Sequence, residues 1–366
     1  MSQPPPHLPS ARPWLRPLLP LAGIGLLLGA GVLAFAWAGG HLGSRALTAP
    51  QLIDAIEHSS APPPGFRRSH SKGICVLGSF RASGEGAALS SARVFTQRDV
   101  PVLGRLSCPG TDPHAADAKA RVRSLALLLR TDDGQQWRTA MNSSPFFAVA
   151  TPEAFRAQAE ASTPDPATGK PDPARMAAFL ASQPQARAFQ AWAKSAAWSS
   201  SWANTAYNSL NSFIGTSTDG RQHALRWTLR PQAAFVPLSP EQREQADSNF
   251  LAQDLSARLA AGPLRWDLVL VEAGPGDSVD DASQAWPADR HQVVAGVLEL
   301  RTARPQADGE CRDINFDPLV LPKGLAASND PLLAARSAVY AQSFNRREHE
   351  IARGQATDAI GEETRP

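Results

Sequence analysis

Short apolar runs separated by turn residues recur along this chain, and they are typical of β-strands. They lie within residues 73–106, 122–130, 265–272 and 293–302. An Asp219-Gly220 turn between two strand-like runs also indicates a hairpin over residues 211–231. Together these runs predict about eight strands at irregular spacing along the chain.

Segments with helical periodicity lie between the strands. One is TAPQLIDAIEH, another covers residues 146–162 with a start at Thr151-Pro152-Glu153, and a third covers 174–198 with a break near Pro184. Two more helices are predicted. One begins at Ser239-Pro240 and has apolar residues on one side, namely Phe250, Leu251, Leu255 and Leu259. The other is the segment RSAVYAQSFNRR at 336–347.

The order of these elements limits the architecture. The chain has no G-x-G-x-x-G motif and no regular alternation of strand and helix, which disfavours a Rossmann or TIM fold. We therefore predict an α+β fold, in which an antiparallel barrel or sandwich of about eight strands carries helical insertions.

The N-terminal region contains a long uncharged segment, LLPLAGIGLLLGAGVLAFAWAGG at residues 18–40. About 20 apolar residues span a bilayer as a helix, so we predict a transmembrane anchor at 18–40. The arginines before it favour a cytoplasmic tail at 1–17 and place residues 41–366 outside the cytoplasm. The alternative is a signal peptide cleaved after the A-x-A pattern of Ala36 and Ala38.

Charge and cysteine content restrict the function classes. The formal net charge of +2 provides no electrostatic case for nucleic-acid binding. The three cysteines, Cys75, Cys108 and Cys311, lack metal-ligand spacing, and their odd number leaves at least one thiol unpaired within the chain. A Cys75–Cys108 bridge is one option in an oxidising compartment.

The segment GFRRSHSKGICVLGSF contains the first candidate site, with Arg67 three residues before His70 and Gly73 three residues after it. A neutral imidazole beside a cavity can relay protons, although a lone histidine before a strand is more often an ordinary loop residue. Arg105 and Ser107 in GRLS share one face of a strand, which is more often a solvated face.

Two further segments contain candidate site residues. Asn142 lies in AMNSSPFF, where a turn before core aromatic residues is the simpler interpretation. Arg336 and Tyr340 are four residues apart and fall on one helix face. A guanidinium within hydrogen-bonding reach favours the phenolate, which is a hard anionic ligand for ferric iron. The alternative is a core tyrosine whose hydroxyl is capped by arginine.

In combination, these segments resemble the haem catalase family, and specifically the short bacterial catalase-related peroxidases. R-x-x-H-x-x-G matches Arg67, His70 and Gly73, and the R-x-x-x-Y spacing of the iron ligand matches Arg336 and Tyr340. The remaining matches follow in chain order. They are VPVLGRLS at 100–107, NSSPFF at 142–147, Phe155, DASQAWP at 281–287, FDPLVLPKGL at 316–325 and Arg347.

The resemblance implies a closed, catalase-like barrel that binds haem b. Tyr340 would be the iron ligand, with Arg336 holding it as phenolate. His70, Asn142 and Ser107 would act on the peroxide side. The residues that would contact the haem or its propionates are Arg67, Arg105, Phe155, Arg336 and Arg347.

The resemblance also implies a function. We expect a haem peroxidase that reduces organic hydroperoxides, and hydrogen peroxide, with small one-electron donors through a ferryl intermediate. A true catalase, a lipid hydroperoxide isomerase and a non-catalytic haem-binding protein stay open as alternatives. The expected protein is a monomer or small homo-oligomer, held in the inner membrane by its N-terminal helix, with a periplasmic catalytic domain.

Several positions depart from the family pattern. The glutamate usual before the distal arginine is Phe66, the usual valine before the histidine is Ser69, and the second asparagine is Ser143. The chain ends 26 residues after Tyr340, so we expect it to lack the large C-terminal helical domain of full catalases and the NADPH site framed by that domain. These departures argue against fast hydrogen peroxide disproportionation.

Overall fold

The computed structural model describes residues 18–38 and 47–356, and the side chains of 23–37 in the first of these segments. The α-helices are α1 Leu18–Ala38, α2 Ala49–Ser60, α3 Pro152–Ser162, α4 Pro173–Ser182, α5 Pro184–Ser195, α6 Pro240–Gln245, α7 Phe250–Ala261 and α8 Pro331–Ala352. The strands are β1 Gly73–Ala82, β2 Val100–Ser107, β3 Ser124–Arg130, β4 Gln136–Asn142, β5 Tyr207–Asn208, β6 Phe213–Thr216, β7 Gln222–Pro231, β8 Leu264–Glu272, β9 Gln292–Pro305 and β10 Leu325–Ala327.

Eight of these strands close into an antiparallel barrel. Their order around the barrel is β7-β5-β4-β3-β2-β1-β9-β8, and pairing of β7 with β8 completes the ring. The two remaining strands, β6 and β10, extend from β7. Closure leaves no free edge within the ring, and the predicted barrel is confirmed.

Large aromatic side chains fill part of the core. Trp137 and Trp227 meet edge to face with ring centroids 5.0 Å apart, and Phe213 stacks on Trp227 at 4.3 Å. The indole N–H of Trp227 donates to the Thr139 hydroxyl over 2.9 Å, so the polar atom of this buried ring is satisfied. Packing of this kind makes the barrel a rigid base for the side chains on its outer surface.

Most predicted elements are present. The helix in TAPQLIDAIEH is α2, the break near Pro184 separates α4 from α5, and the hairpin over 211–231 is formed by β6 and β7. Strand β4 was not predicted, because QWRTAMN alternates buried and half-buried residues without a continuous apolar run.

Two helix predictions need correction. The predicted helix over 146–162 begins at Pro152, because the Thr151 hydroxyl caps its first turn and the Phe147 N–H donates to the Ala282 carbonyl instead of a helical partner. The helix that opens at Pro240 ends at Gln245, and the apolar residues predicted for its side belong to the separate helix α7.

The N-terminal prediction is only partly addressed. Residues 18–38 are helical, whereas the predicted tail 1–17 and residues 39–40 of the predicted anchor lie outside the described residues. Within the part of the chain that the structure describes, no helix combines the length and apolarity needed to cross a membrane. Residues 49–356 belong to one compact unit, which contains the barrel.

The disulfide joins Cys75 to Cys311, so the Cys75–Cys108 option is wrong. Register explains the difference. Cys75 on β1 lies opposite Arg105 on β2, three residues before Cys108. Three strand residues span about 10 Å, beyond the Cα separation that a disulfide bridges. Cys108 is a buried free thiol, and burial raises its pKa to about 12.

Candidate active site

One cavity on the barrel unit brings together most of the predicted site residues. Its lining includes His70, Arg67, Arg105, Ser107, Asn142, Phe155, Arg336 and Tyr340. The volume of this cavity is about 210 Å³. Residues from the loop before β1 and from β2, β4, α3 and α8 therefore form a single site.

His70 lies immediately before β1 in a left-handed backbone conformation, with φ of 57°. Few non-glycine residues adopt this region, and those that do cluster at functional sites. The Arg105 guanidinium donates to the His70 carbonyl over 2.7 Å and thereby holds this turn. The Ser107 hydroxyl lies 3.4 Å from His70 Nδ1, so it orients the ring.

The electrostatic surroundings keep the His70 imidazole neutral. Burial, together with the positive charges of Arg105, Arg336 and Arg67, lowers its pKa from 6.5 to about 3. A neutral imidazole can accept a proton at one nitrogen while the other is held by a hydrogen bond. His70 therefore has the state that a proton acceptor needs across the physiological pH range.

Arg105 is 3% exposed and projects from β2 toward the start of β1. It donates to the carbonyls of His70 and Ser71, and to Gln306 Oε1 over 2.6 and 3.0 Å. A Cβ on Gly73 would come within 2.5 Å of the Arg105 guanidinium carbon. The glycine of R-x-x-H-x-x-G is thus required because this arginine packs directly over it.

Asn142 ends β4 and is fixed by its neighbours rather than by a turn. Its side-chain oxygen accepts a hydrogen bond of 2.5 Å from the Ser124 hydroxyl, directly opposite on β3. Its backbone also pairs with Asn208 on β5. Because the oxygen is engaged with Ser124, the amide NH₂ is the group that can donate into the cavity.

Tyr340 and Arg336 lie on successive turns of α8, as their spacing predicts. Arg336 Nη2 donates to the phenol oxygen of Tyr340 over 3.2 Å, and to the Ala140 carbonyl over 3.1 Å. Arg336 Nη1 donates to Asn211 Oδ1. Asn211 in turn donates to the buried carboxylate of Asp330 over 2.8 Å. Tyr340 is therefore the end of a connected polar chain.

Arg67 and Arg347 lie in a cationic region next to the cavity. Burial lowers the pKa of Arg67 well below its ordinary value, and the charges of Arg105 and Arg347 lower it further. Arg67 donates to three backbone carbonyls, those of Cys311, Arg312 and Ile314. Several guanidinium groups held together in this way suit an anionic ligand.

Arg347 is placed differently from the other arginines. It is 2% exposed and does not belong to the cavity lining. Its guanidinium pairs with Glu348 over 3.2 Å and lies above the Phe344 ring at 5.1 Å. In this structure it contributes positive charge behind Arg67 and Arg105 and does not line the cavity itself.

Apolar side chains complete the walls. Phe155 on α3 stacks with Phe147 at a centroid distance of 6.3 Å, and both rings line the cavity. Helix α2 adds Leu52, Ile53 and Ile56. The contribution of α2 was not predicted, because its apolar face looks like that of any surface helix packed on a core.

Other residues of the site were also missed by sequence reasoning. Asn211, Asp330, Gln306 and Ser124 hold the predicted residues in place, yet each is a polar residue without a distinctive spacing. Of the resembling motifs, 281–287 serves an anchoring role: Arg226 donates to the Asp281 and Gln284 carbonyls and stacks on Trp286 at 4.4 Å.

The family model that matches this chain is that of catalase, over residues 36–350. A catalase-related peroxidase from Synechococcus elongatus is 36% identical over 91% of this chain and 97% of its own length. A second catalase-related peroxidase, from Mycolicibacterium paratuberculosis, is 31% identical over 83% of this chain and 96% of its own length. The chain belongs to the catalase family, and the predicted class, an oxidoreductase acting on peroxide, is confirmed.

Solved structures support the fold. A fungal catalase superposes with a TM-score of 0.71 at 18% identity, covering 84% of this chain and 64% of its own. Catalase A from Saccharomyces cerevisiae superposes with a TM-score of 0.70 at 20% identity, covering 81% of this chain and 64% of its own. At these identities the likeness defines the architecture alone.

Membership of the catalase family implies haem iron, and the residues present fit such a group. The half-buried phenol of Tyr340 offers an oxygen ligand already hydrogen-bonded to a guanidinium. Arg67 and Arg105 form a cationic pair whose protein partners are mainly carbonyl and amide oxygens, so carboxylates would suit them. The wall of the cavity between these groups is mainly apolar.

Proposed function

We propose that this chain is a peroxidase that binds haem b through Tyr340 and reduces organic hydroperoxides, and hydrogen peroxide, with small one-electron donors. The observation that carries this proposal is a neutral, half-buried His70 in the same cavity as the Arg336–Tyr340 pair. The cavity thus combines a proton acceptor with a phenol oxygen that can bind iron.

His70 handles the peroxide proton. Neutral His70 accepts the hydroperoxide proton and delivers it to the oxygen that leaves as alcohol or water. Ser107 lies at Nδ1, which leaves Nε2 to exchange this proton. The Asn142 amide donates to the peroxide and orients it, with Ser124 fixing the amide. When bound, the haem supplies the redox chemistry that cleaves the O–O bond and then oxidises the donor.

The remaining residues hold the haem. Arg336 donates a hydrogen bond to the phenol oxygen of Tyr340 and would hold that oxygen in place as the iron ligand. Arg67 and Arg105 would hold the propionates, with the positive charge of Arg347 near them. Phe155 on α3 would pack against the macrocycle.

The apolar lining supports organic hydroperoxides as substrates. The cavity walls include apolar side chains that suit the alkyl or aryl group of an organic hydroperoxide, whereas hydrogen peroxide has no such group. They are Leu52, Ile53 and Ile56 of α2, with Phe147 and Phe155. Transfer of apolar surface into such walls contributes to binding in proportion to the area removed from water.

The disulfide supports a location outside the cytoplasm. Cys75 and Cys311 are both fully buried and bonded to each other, and structural disulfides are typical of oxidising compartments. We place residues 41–366 in the periplasm. Protease protection in spheroplasts, together with the mature N-terminal sequence, tests this placement.

Steady-state assays of the haem-loaded full chain test the activity. Cumene hydroperoxide, a fatty-acid hydroperoxide and hydrogen peroxide are each supplied with and without an oxidisable dye. We expect the peroxide to be reduced only when the dye is present. The reaction should proceed faster with cumene hydroperoxide than with hydrogen peroxide.

Other outcomes contradict the proposal in distinct ways. Oxygen release from hydrogen peroxide as the dominant reaction indicates a catalase. Rearranged product without a donor indicates a hydroperoxide isomerase. Haem binding without any turnover indicates a binding protein.

A further inference from the structure

The connection between β9 and β10 holds the cationic region from outside the barrel. This segment, residues 306–316, supplies hydrogen-bond acceptors to the buried Arg105 and to the half-buried Arg67. Gln306 Oε1 accepts two hydrogen bonds from Arg105, and its amide donates to the Ser71 carbonyl over 2.9 Å. One segment of irregular chain therefore contacts two side chains that line the cavity.

Arg67 depends on the same segment still more. A single nitrogen, Nη2, lies 3.0, 2.9 and 3.0 Å from the carbonyls of Cys311, Arg312 and Ile314. The guanidinium also lies 6.0 Å from the Phe316 ring centroid. Three converging carbonyls determine where this guanidinium points, so any shift of the segment moves the arginine.

A buried disulfide pins the segment to the barrel. Cys311 bonds to Cys75 on β1, and Cys75 lies directly opposite Arg105 across the β1–β2 pair. Both cysteines are 0% exposed. A Cβ on Gly309 would lie 2.3 Å from Cys75 Sγ, which shows how closely the segment is folded over the sulfur. Irregular chain has no ladder of its own, and a cross-link removes most of its freedom.

We propose that Cys75, Cys311 and Gln306 are positioning residues for haem binding. The disulfide holds segment 306–316 in place, and the segment keeps Arg67 and Arg105 directed toward the haem carboxylates. This inference rests on the proposed haem function. Its consequence is that haem affinity depends on the disulfide through the propionates and not through the iron ligand.

Haemin and haemin dimethyl ester separate binding through the propionates from binding through the iron, because the ester lacks the free carboxylates but keeps the iron and macrocycle. The haem-free full chain is titrated with each compound, and the Soret absorbance gives both Kd values. The variants are the double change Cys75→Ala with Cys311→Ala, and Gln306→Leu, which leaves both sulfurs in place. Cys108→Ala is the matched control, since it removes the buried free thiol.

We expect both variants to bind haemin about tenfold or more weakly than the wild type, as loss of charge-assisted hydrogen bonds typically causes. Their Kd for the dimethyl ester should equal that of the wild type. The Cys108→Ala control should have the wild-type Kd for both compounds. If the double variant does not fold, as its thermal unfolding would reveal, Gln306→Leu decides the question.

Two outcomes overturn the inference. If the variants keep the wild-type ratio of haemin to ester affinity, the segment does not act through the carboxylates, and the proposed function is unaffected. If the wild type binds neither compound, the proposed function fails and the inference fails with it.

Discussion

Arg336 Nη2 donates to the phenol oxygen of Tyr340 over 3.2 Å, from one turn of α8 to the next. The same guanidinium is held from the barrel side by Asn211 and the Ala140 carbonyl. The helix therefore brings the two residues together, and the barrel fixes the direction in which the guanidinium points. A ligand oxygen held in this way needs little rearrangement when iron binds.

Tyr340→Phe should remove the proposed iron ligand and leave the apolar packing of the ring. We expect the absorption spectrum of the haemin complex to change and haemin affinity to fall at least about tenfold, since even outer-shell changes cost 10- to 100-fold. Titration with haemin, followed across the visible spectrum, measures both effects. Tyr207→Phe is the control, because this second phenol is buried elsewhere and donates to the Trp202 carbonyl. Identical spectra for wild type and Tyr340→Phe would exclude Tyr340 as the ligand.

His70→Ala should retain haem and lose catalysis. The proposed proton transfer typically contributes a factor of roughly 10²–10⁴ in rate, so peroxide-dependent dye oxidation should slow by that amount. His291→Ala is a suitable control, because its side chain is 63% exposed and pairs only with Glu272. An unchanged rate in His70→Ala would remove His70 from the mechanism.

His70 should also make stability depend on pH. Its pKa is about 3 in the folded chain and 6.5 ordinarily, so between these values the unfolded state binds a proton that the folded state does not. Stability from this group is complete above about pH 7 and is lost as the pH falls toward 3. At pH 5 the loss is about 2 kcal/mol.

Urea unfolding of the haem-free chain at pH 7.5 and pH 5 measures this effect. His70→Gln lacks the titrating group, so its stability should fall less than that of the wild type over the same interval. Equal losses in the two proteins would mean that His70 is not held neutral.

Gly73→Ala should disturb Arg105. The added Cβ would lie 2.5 Å from the Arg105 guanidinium carbon and 2.7 Å from the Leu106 carbonyl oxygen. Overpacking of this kind typically costs about 1–3 kcal/mol of stability, and displacement of Arg105 should also weaken haemin binding. Thermal and urea unfolding give the first effect and haemin titration gives the second.

Introducing Gly73→Ala into the Arg105→Ala variant tests whether the guanidinium causes the loss of stability. If the clash with the guanidinium is responsible, Gly73→Ala should cost less stability in that background than in the wild type. A cost of the same size in both backgrounds would assign it to the backbone contact alone.

Local sequence determined the features that lie within one element or between chain neighbours. The i, i+4 spacing of Arg336 and Tyr340 places them on one helix face, and the Asp219-Gly220 turn closes its hairpin, because helix and turn geometry act over a few residues. The spacing of Arg67, His70 and Gly73 likewise identified the loop before β1 as a candidate site, and the order of the elements indicated an antiparallel barrel or sandwich.

Only the tertiary structure decided which distant residues meet. Cys75 pairs with Cys311, 236 residues away, and not with Cys108, because strand register sets Cys108 out of reach. Asn211 reaches Arg336 across 125 residues, and Gln306 reaches Arg105 across 201. These contacts depend on barrel closure and on an irregular connection, and neither leaves a periodic signal in the sequence.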